Sequence, residues 1–262
     1  MRQPLITLTT DFGLRGHFAG AMKGVILCIE PHARIVDISH EVAPCAIAEG
    51  AFTLAQAYRW FPAGTIHVAV VDPGVGTPRR PLLVQAAGQY FVAPDNGLLS
   101  MMYAREKHGV RAVSAEKFFL KPVSRTFHGR DVFAPVAAHL ARGVKPPQFG
   151  KLISDYLRSG FGMPVQTSER TWEGAVLVVD RFGNLITNFP VEEFRAILAG
   201  RFEVAVGAGR IRRCASSYEA GGEGELFLIE GSSGYLEIAS RQASAAQLAN
   251  CAAEAKVRLT VE

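Results

Sequence analysis

Over roughly the first 145 positions, compact apolar runs alternate with stretches of helical spacing. Leu5–Leu8, Ile35–Ile38 and Ile66–Val71 are short β-like runs, and the last of them reads as a buried strand. Between them Phe18, Met22, Val25, Ile26 and Ile29 recur at three- and four-residue steps, the signature of one helix face, and Glu49–Arg59 is also helix-like. Asp131–Leu140 predicts another helix, with Phe133, Val136, Ala137 and Leu140 on one side and Pro135 tolerated only near its first turn. This rhythm predicts an α/β domain with a central parallel or mixed sheet, mostly parallel, covered by helices.

The pattern breaks at Gly143–Pro147 and again at Ser159–Pro164. Beyond Trp172 the runs shorten and are separated by glycine turns: Ala175–Val179, Phe202–Val206, Glu225–Glu230, Tyr235–Ile238 and Lys256–Val261. They predict a small all-β domain of barrel or sandwich type. The expected organisation is an α/β domain over 1–160, a linker over 161–172 and a β domain over 173–262. A chain of 262 residues that is 48% hydrophobic can bury two such cores.

Charge and cysteine content narrow the class. A formal charge of +4 without a Lys/Arg run argues against nucleic acid and membrane partners. The four cysteines, Cys28, Cys45, Cys214 and Cys251, form no C-x-x-C pair, so free thiols are expected rather than a disulfide framework or a zinc site. No signal-like stretch opens the chain and no apolar run reaches about 18 residues, which predicts a soluble, cytoplasmic protein.

Chemistry concentrates in turns that follow strands. Asp72 stands at the end of the run Ile66–Val71, in Asp72-Pro73-Gly74-Val75-Gly76-Thr77-Pro78-Arg79, and Asp11 follows the first strand in Thr10-Asp11-Phe12-Gly13. Neighbouring strands in an open α/β sheet would bring both carboxylates out at the edge where ligands bind. With His128 in Thr126-Phe127-His128-Gly129-Arg130-Asp131, a carboxylate, a guanidinium and an imidazole can orient and deprotonate water, which points to hydrolysis. The β domain adds Asp180-Arg181-Phe182-Gly183-Asn184 and Glu230-Gly231-Ser232-Ser233-Gly234, groups suited to a polar small molecule.

Each feature also has a structural reading. Asp11 or Asp180 after a strand can close an Asx-turn or cap a helix, and His128 can bond to backbone in its turn. One of Arg79 and Arg80 is expected in a structural ion pair, Arg130 and Asp131 can pair locally, and Asp95-Asn96-Gly97 reads as a tight turn. His17, His40 and His67 read as core or surface residues. Two rival functions use the same residues. A metal-dependent phosphohydrolase would take Asp11, Asp72, His40 and His128 as ligands, and a nucleoside sensor would use Asp11 and Asn184 without turnover.

Together these turns, with Met22-Lys23-Gly24 and Pro94-Asp95-Asn96-Gly97-Leu98-Leu99, closely resemble the S-adenosyl-L-methionine hydroxide adenosyltransferases, adenosine-forming hydrolases related to the bacterial fluorinase and chlorinase. The resemblance runs over nearly the whole chain. It implies hydrolysis of S-adenosyl-L-methionine to adenosine and L-methionine, with no cofactor and no metal, in a homotrimer whose ligand site is shared by neighbouring subunits. By the same resemblance Asp72, Arg79 and His128 activate water, and the aspartate at position 72 replaces a tyrosine of the halogenating relatives. Asp11 would bind ribose, Asp180 the methionine ammonium, Asn184 the adenine edge, and Ser232 with Ser233 the methionine carboxylate. Gly16 stands where many relatives have a second acid, and Cys45 where they often have an aromatic ring.

Overall fold

A computed structural model describes residues 3–160 and 163–262. Its contacts divide the chain into two compact units, Met1–Ser159 and Gly160–Glu262. Phe161 and Gly162, in the predicted break and at the head of the predicted linker, lie outside the described residues. No helix among the described residues is long and apolar enough to cross a membrane, and the four cysteines are unpaired.

In the first unit the strands are β1 (Leu5–Thr10), β2 (Arg34–Ser39), β3 (Ile66–Val70), β4 (Pro81–Ala86), β5 (Gln89–Pro94), β6 (His108–Ala112) and β7 (Leu152–Ile153). The helices are α1 (Phe18–Ile29), α2 (Ile47–Ala57), α3 (Ser100–Arg105) and α4 (Ala134–Ala141). The strands form a mixed sheet in the order β2-β1-β3-β5-β4-β6-β7. Pairings from β2 through β5 are parallel, and those from β5 to β7 are antiparallel. The change of direction comes from the β4–β5 hairpin, whose central residues Ala87 and Gly88 have φ of 51° and 70°, as the tightest hairpin turns require.

Strand alternation distributes β1 between two cores. Ile6 and Leu8 pack with Met22 and Ile26 of α1 and with Phe133, Val136 and Ala137 around α4. Thr7 takes the other face, where its hydroxyl meets Nδ1 of the buried His67 at 2.7 Å. Tyr58 and Phe91 pack around that imidazole, and burial pushes its pKa down to about 4. His67 is thus a satisfied core residue.

The second unit comprises β8 (Val165–Ser168), β9 (Thr171–Val179), β10 (Leu185–Pro190), β11 (Phe202–Val206), β12 (Gly209–Ile211), β13 (Leu226–Glu230), β14 (Tyr235–Ser240) and β15 (Lys256–Val261), with α5 (Val191–Leu198) and α6 (Ala245–Ala249). The sheet runs β12-β11-β15-β9-β10-β14-β13, with β8 on β9, and its pairings are antiparallel. An isolated bridge from Cys214, just past β12, to Leu228 of β13 joins the two edges and nearly closes a barrel. Val176, Leu185, Val204, Leu236, Ile238 and Leu259 are among the residues filling it. β8 falls inside the span read as linker; its exposed, polar Val165–Ser168 carries no apolar alternation that could have marked it as a strand.

Candidate active site

β1 and β3 are parallel neighbours, with Thr10 opposite Val70, so Asp11 and Asp72 leave the same end of the sheet. Asn96 fixes the exit from β3: its Nδ2 donates to the Val71 carbonyl at 2.8 Å, and its Oδ1 accepts from the Leu98 amide. The tight turn read at 95–97 therefore also positions the residue before Asp72. Past Asp72 the chain folds through amide contacts Val75 to Asp72 O and Thr77 to Gly74 O. Gly76 completes the bend at φ +78°, where a Cβ atom would lie 2.4 Å from the Arg125 carbonyl. The Asp72 loop is thereby packed directly on the segment leading to His128.

His128 precedes a π-helical turn, Gly129–Phe133, that runs into α4, so the predicted helix begins in a wider coil with Pro135 in the first turn of α4. Gly129 is crowded: a Cβ would come within 3.2 Å of both the Met22 sulfur and the Phe12 ring. Arg130 and the fully buried Asp131 form the local pair, with Nε to Oδ1 at 2.6 Å, and Asp131 also accepts from the Ser124 amide at 2.8 Å. Burial works to raise the Asp131 pKa, yet Arg130 and the Ser124 amide outweigh it and hold the carboxyl below its ordinary range.

These loops bring Asp72, Arg79 and His128 together. Arg79 grips Asp72 with both arms of its fork, Nε to Oδ1 at 3.0 Å and Nη2 to Oδ2, and Nη2 also meets His128 Nδ1 at 2.8 Å. Side-chain exposure is only 8% for Arg79 and 5% for Asp72. The Arg79 guanidinium lies over the Phe133 ring. Burial, and then the Arg79 charge, lower the His128 pKa against the opposing pull of Asp72 and Asp131. Arg80 turns away to bind Asp95 and Asp155, so it is the structural arginine of the adjacent pair.

Asp72 and His128 line one cavity of about 360 Å³ together with Asp11, Phe12, Phe18 and Phe127. Arg79 stands behind this lining and orients the groups that form it. Asp11 Oδ2 accepts from the Cys45 amide at 2.9 Å, a contact made possible by Cys45 at φ 65°. The mutually packed rings of Phe12, Phe18 and Phe127 were not singled out as site residues from the sequence. Their signal was placement: each sits beside a glycine turn that carries a charged group. The ligand set of the phosphohydrolase reading does not converge, because His40 is buried against Thr10 and Asp72 lies in the fork of Arg79.

In the second unit Asp180 and Asn184 line a cavity of about 670 Å³ with Phe182, Tyr218, Ser240 and Arg241. Asp180 is engaged locally. Its Oδ1 accepts from the amides of Phe182 and Asn184, and its Oδ2 from Asn184 Nδ2, each at 2.9 Å. The Asx-turn reading therefore holds here, with Gly183 at φ +85° closing the bend. Ser240 Oγ and Arg241 Nε are buried without a partner in this cavity wall. Tyr218 donates to Glu237 Oε2 at 2.8 Å; burial, then that bond, pushes the phenol up to about 12, and burial also raises the Glu237 carboxyl. Ser232 and Ser233 occupy the tight β13–β14 turn outside this cavity lining, Ser232 exposed and Ser233 with its Oγ buried and unpaired.

The likeness to known proteins extends over both units. The chain matches the family model for the N-terminal domain of the SAM hydroxide adenosyltransferases over residues 6–150 and that for the C-terminal domain over 174–258. It is 36% identical over 258 residues to the (R)-S-adenosyl-L-methionine hydrolase of Methanocaldococcus jannaschii, covering 94% of this chain and 92% of that protein. The hydrolase of the same name from Salinispora tropica is 41% identical over 186 residues, 70% of each chain. Fluorinases match at greater distance. A crystal structure of a conserved protein from Thermotoga maritima superimposes with a TM-score of 0.87 at 35% identity, over 97% of this chain and 99% of that one. On both of its domains, then, this chain belongs to the SAM hydroxide adenosyltransferase family.

Proposed function

We infer that this protein hydrolyses S-adenosyl-L-methionine to adenosine and L-methionine, with water attacking the ribose 5′ carbon as neutral methionine leaves. The observation that carries this reading is the Asp72–Arg79–His128 set, bonded internally and opening through Asp72 and His128 onto the cavity that also holds Asp11.

The hydrogen bonds favour one division of labour. Arginine only donates, so His128 Nδ1 accepts from Arg79 and the neutral ring carries its proton on Nε2. That ring then has no free lone pair and serves by donating to the attacking oxygen. Arg79 has no lone pair either. Asp72 remains the group able to accept the proton, because each of its oxygens keeps a lone pair after binding Arg79. The sulfonium is already an activated leaving group, so the scheme needs no acid there, and it needs no metal. General base catalysis of this kind contributes about 10²–10⁴-fold, and positioning adds to it.

Asp11 is assigned to the ribose hydroxyls. Asp180 already accepts three hydrogens, which leaves about one further site for the substrate ammonium. Asn184 keeps its carbonyl and one N–H for the adenine edge after bonding Asp180. Ser240 Oγ and Arg241 Nε are buried polar atoms that a ligand in this cavity would satisfy. Ser232 and Ser233 are assigned to the methionine carboxylate. The assembly proposed is a homotrimer that shares sites between subunits. Mixing an Asp72 variant with an Asp180 variant should then restore part of the activity after subunit exchange.

The deciding experiment incubates purified, metal-stripped protein with S-adenosyl-L-methionine in ¹⁸O-water. Adenosine and L-methionine should form in equal amounts, with the label on the 5′ oxygen. Methylthioadenosine or S-adenosylhomocysteine as the main product would overturn the reading, since each requires attack at a different carbon.

A further inference from the structure

His40 is buried, 2% exposed, and absent from the cavity lining, and nothing in the hydrolytic scheme uses it. It touches that turn twice. Its Nδ1 meets Thr10 Oγ1 at 2.8 Å, and its carbonyl accepts the Gly13 amide at 2.7 Å. Thr10 Oγ1 in turn accepts the Phe12 amide at 3.2 Å. The four residues Thr10–Gly13 are therefore tied at both ends to one imidazole-bearing residue, and the two side chains between the ties, Asp11 and Phe12, are the ones that enter the cavity.

The imidazole is itself braced. Nε2 lies 3.1 Å from Asp37 Oδ1, close enough for electrostatic attraction although the angle is poor for a hydrogen bond. Asp37 is held in place by Lys23 Nζ at 2.5 Å, on α1. A carboxylate facing Nε2 favours the tautomer with its proton there. Nδ1 is then an acceptor for the Thr10 hydroxyl, whose oxygen stays free to receive the Phe12 amide. One tautomer is thus compatible with the Asp37 charge, the Thr10 hydroxyl and the Phe12 amide together.

We propose that His40 is a positioning residue for substrate binding: through the Thr10 hydroxyl and the Gly13 amide it fixes the turn that presents Asp11 and Phe12, and Asp37 sets its tautomer. This rests on the assignment of Asp11 to the substrate ribose. Two amide substitutions keep the backbone tie to Gly13 and separate the two ring contacts, because an asparagine oxygen can reach the place of Nδ1 and a glutamine nitrogen that of Nε2. His40→Gln should raise KM for S-adenosyl-L-methionine roughly tenfold, the loss expected for one buried hydrogen bond, with a much smaller change in kcat. His40→Asn should recover most of that affinity. Thr10→Val, which deletes the hydroxyl at nearly constant volume and also frees the Phe12 amide, should lose at least as much as His40→Gln, and the double variant should be no worse than Thr10→Val alone. Amide hydrogen exchange on the unliganded protein should show Phe12 and Gly13 losing protection in His40→Gln.

A KM within twofold of wild type in both His40→Gln and Thr10→Val would overturn the proposal, as would equal losses in His40→Asn and His40→Gln. Should His40→Gln fail to fold, Thr10→Val alone decides. If the wild-type protein does not cleave S-adenosyl-L-methionine, the functional reading fails, and unchanged exchange at Phe12 and Gly13 would then be what rejects the role of His40.

Discussion

Two acid-bearing turns, one in each unit, behave differently once folded. Asp72 is held by Arg79, 7 residues on, and Arg79 reaches His128 a further 49 residues along the chain; those contacts align side chains toward a cavity. Asp180 bonds only within Phe182–Asn184, and those contacts shape its own turn. Both are carboxylates within two residues of a strand's end, in turns that contain glycine. The difference is the range of the partners. A carboxylate satisfied within four residues stabilises backbone wherever it occurs, whereas one gripped by a guanidinium that also reaches an imidazole 49 residues further on has been brought there by the fold as a whole. The second unit consequently relies on the shape of its cavity wall and on atoms left unpaired there, more than on a preassembled set of charges.

The sharpest way to test this contrast is Asp72→Asn. It should cut kcat by about 10²–10⁴-fold, as loss of a general base does, while substrate affinity by calorimetry changes only a few-fold. A large loss of affinity with kcat preserved would move Asp72 from chemistry to binding. Asp11→Ala comes next, with affinity weakened by about 1.5–3 kcal/mol, on the order of ten- to a hundredfold, because charge-assisted hydrogen bonds are removed. Asp180→Ala should weaken substrate binding, through loss of the ammonium partner, and should also cost stability. Three hydrogen bonds of a tight turn are lost, and the denaturation midpoint should fall by the equivalent of about 1–2 kcal/mol, an effect Asp72→Asn should lack.

The smallest effect expected is a displaced pH dependence. Protonating His128 at Nδ1 would set an N–H against the Arg79 N–H and break their contact. Because burial and Arg79 both lower the His128 pKa, the neutral ring persists into more acid solution than a free imidazole, whose pKa is about 6.5. The acid limb of kcat/KM should therefore lie below that value. Arg79→Gln should shift the His128 titration upward, measured by NMR on the ring protons even in an inactive protein. No upward shift would mean that the guanidinium has no hold on the imidazole.

How much of this was legible in the sequence depended on whether a signal was local. The runs at Leu5 and Ile66 became the buried strands β1 and β3, the run at Ile35 became the half-exposed edge strand β2, and β11 and β15 fall on the predicted residues themselves. The β4–β5 hairpin passed unnoticed because its turn is Ala87–Gly88, without the Asn or Asp that usually announces such turns, and because prolines stand at Pro81 and Pro94. β10 was missed for a related reason: Asn188 interrupts its apolar pattern, and only the fold reveals that this side chain caps the Ala175 amide at 2.9 Å. In the site, residue types and turns marked Asp11, Asp72 and His128, and the resemblance singled out Arg79. The distinction between Arg79 and Arg80, the support given by Asn96 and the aromatic lining by Phe12, Phe18 and Phe127 are non-local, and no spacing rule reaches them.

The close approach at Gly76 has a consequence for laboratory recombination. With only 2.4 Å between a would-be Cβ and the Arg125 carbonyl, the loop after β3 and the segment before His128 are moulded on one another. A chimera whose crossover falls between residues 76 and 125 would draw these surfaces from different parents, whereas crossovers outside that interval would transfer them as a matched pair. Libraries built to change the nucleophile should therefore treat the two segments as a single heritable block, and saturation at position 76 should return glycine while the exposed Pro78 drifts.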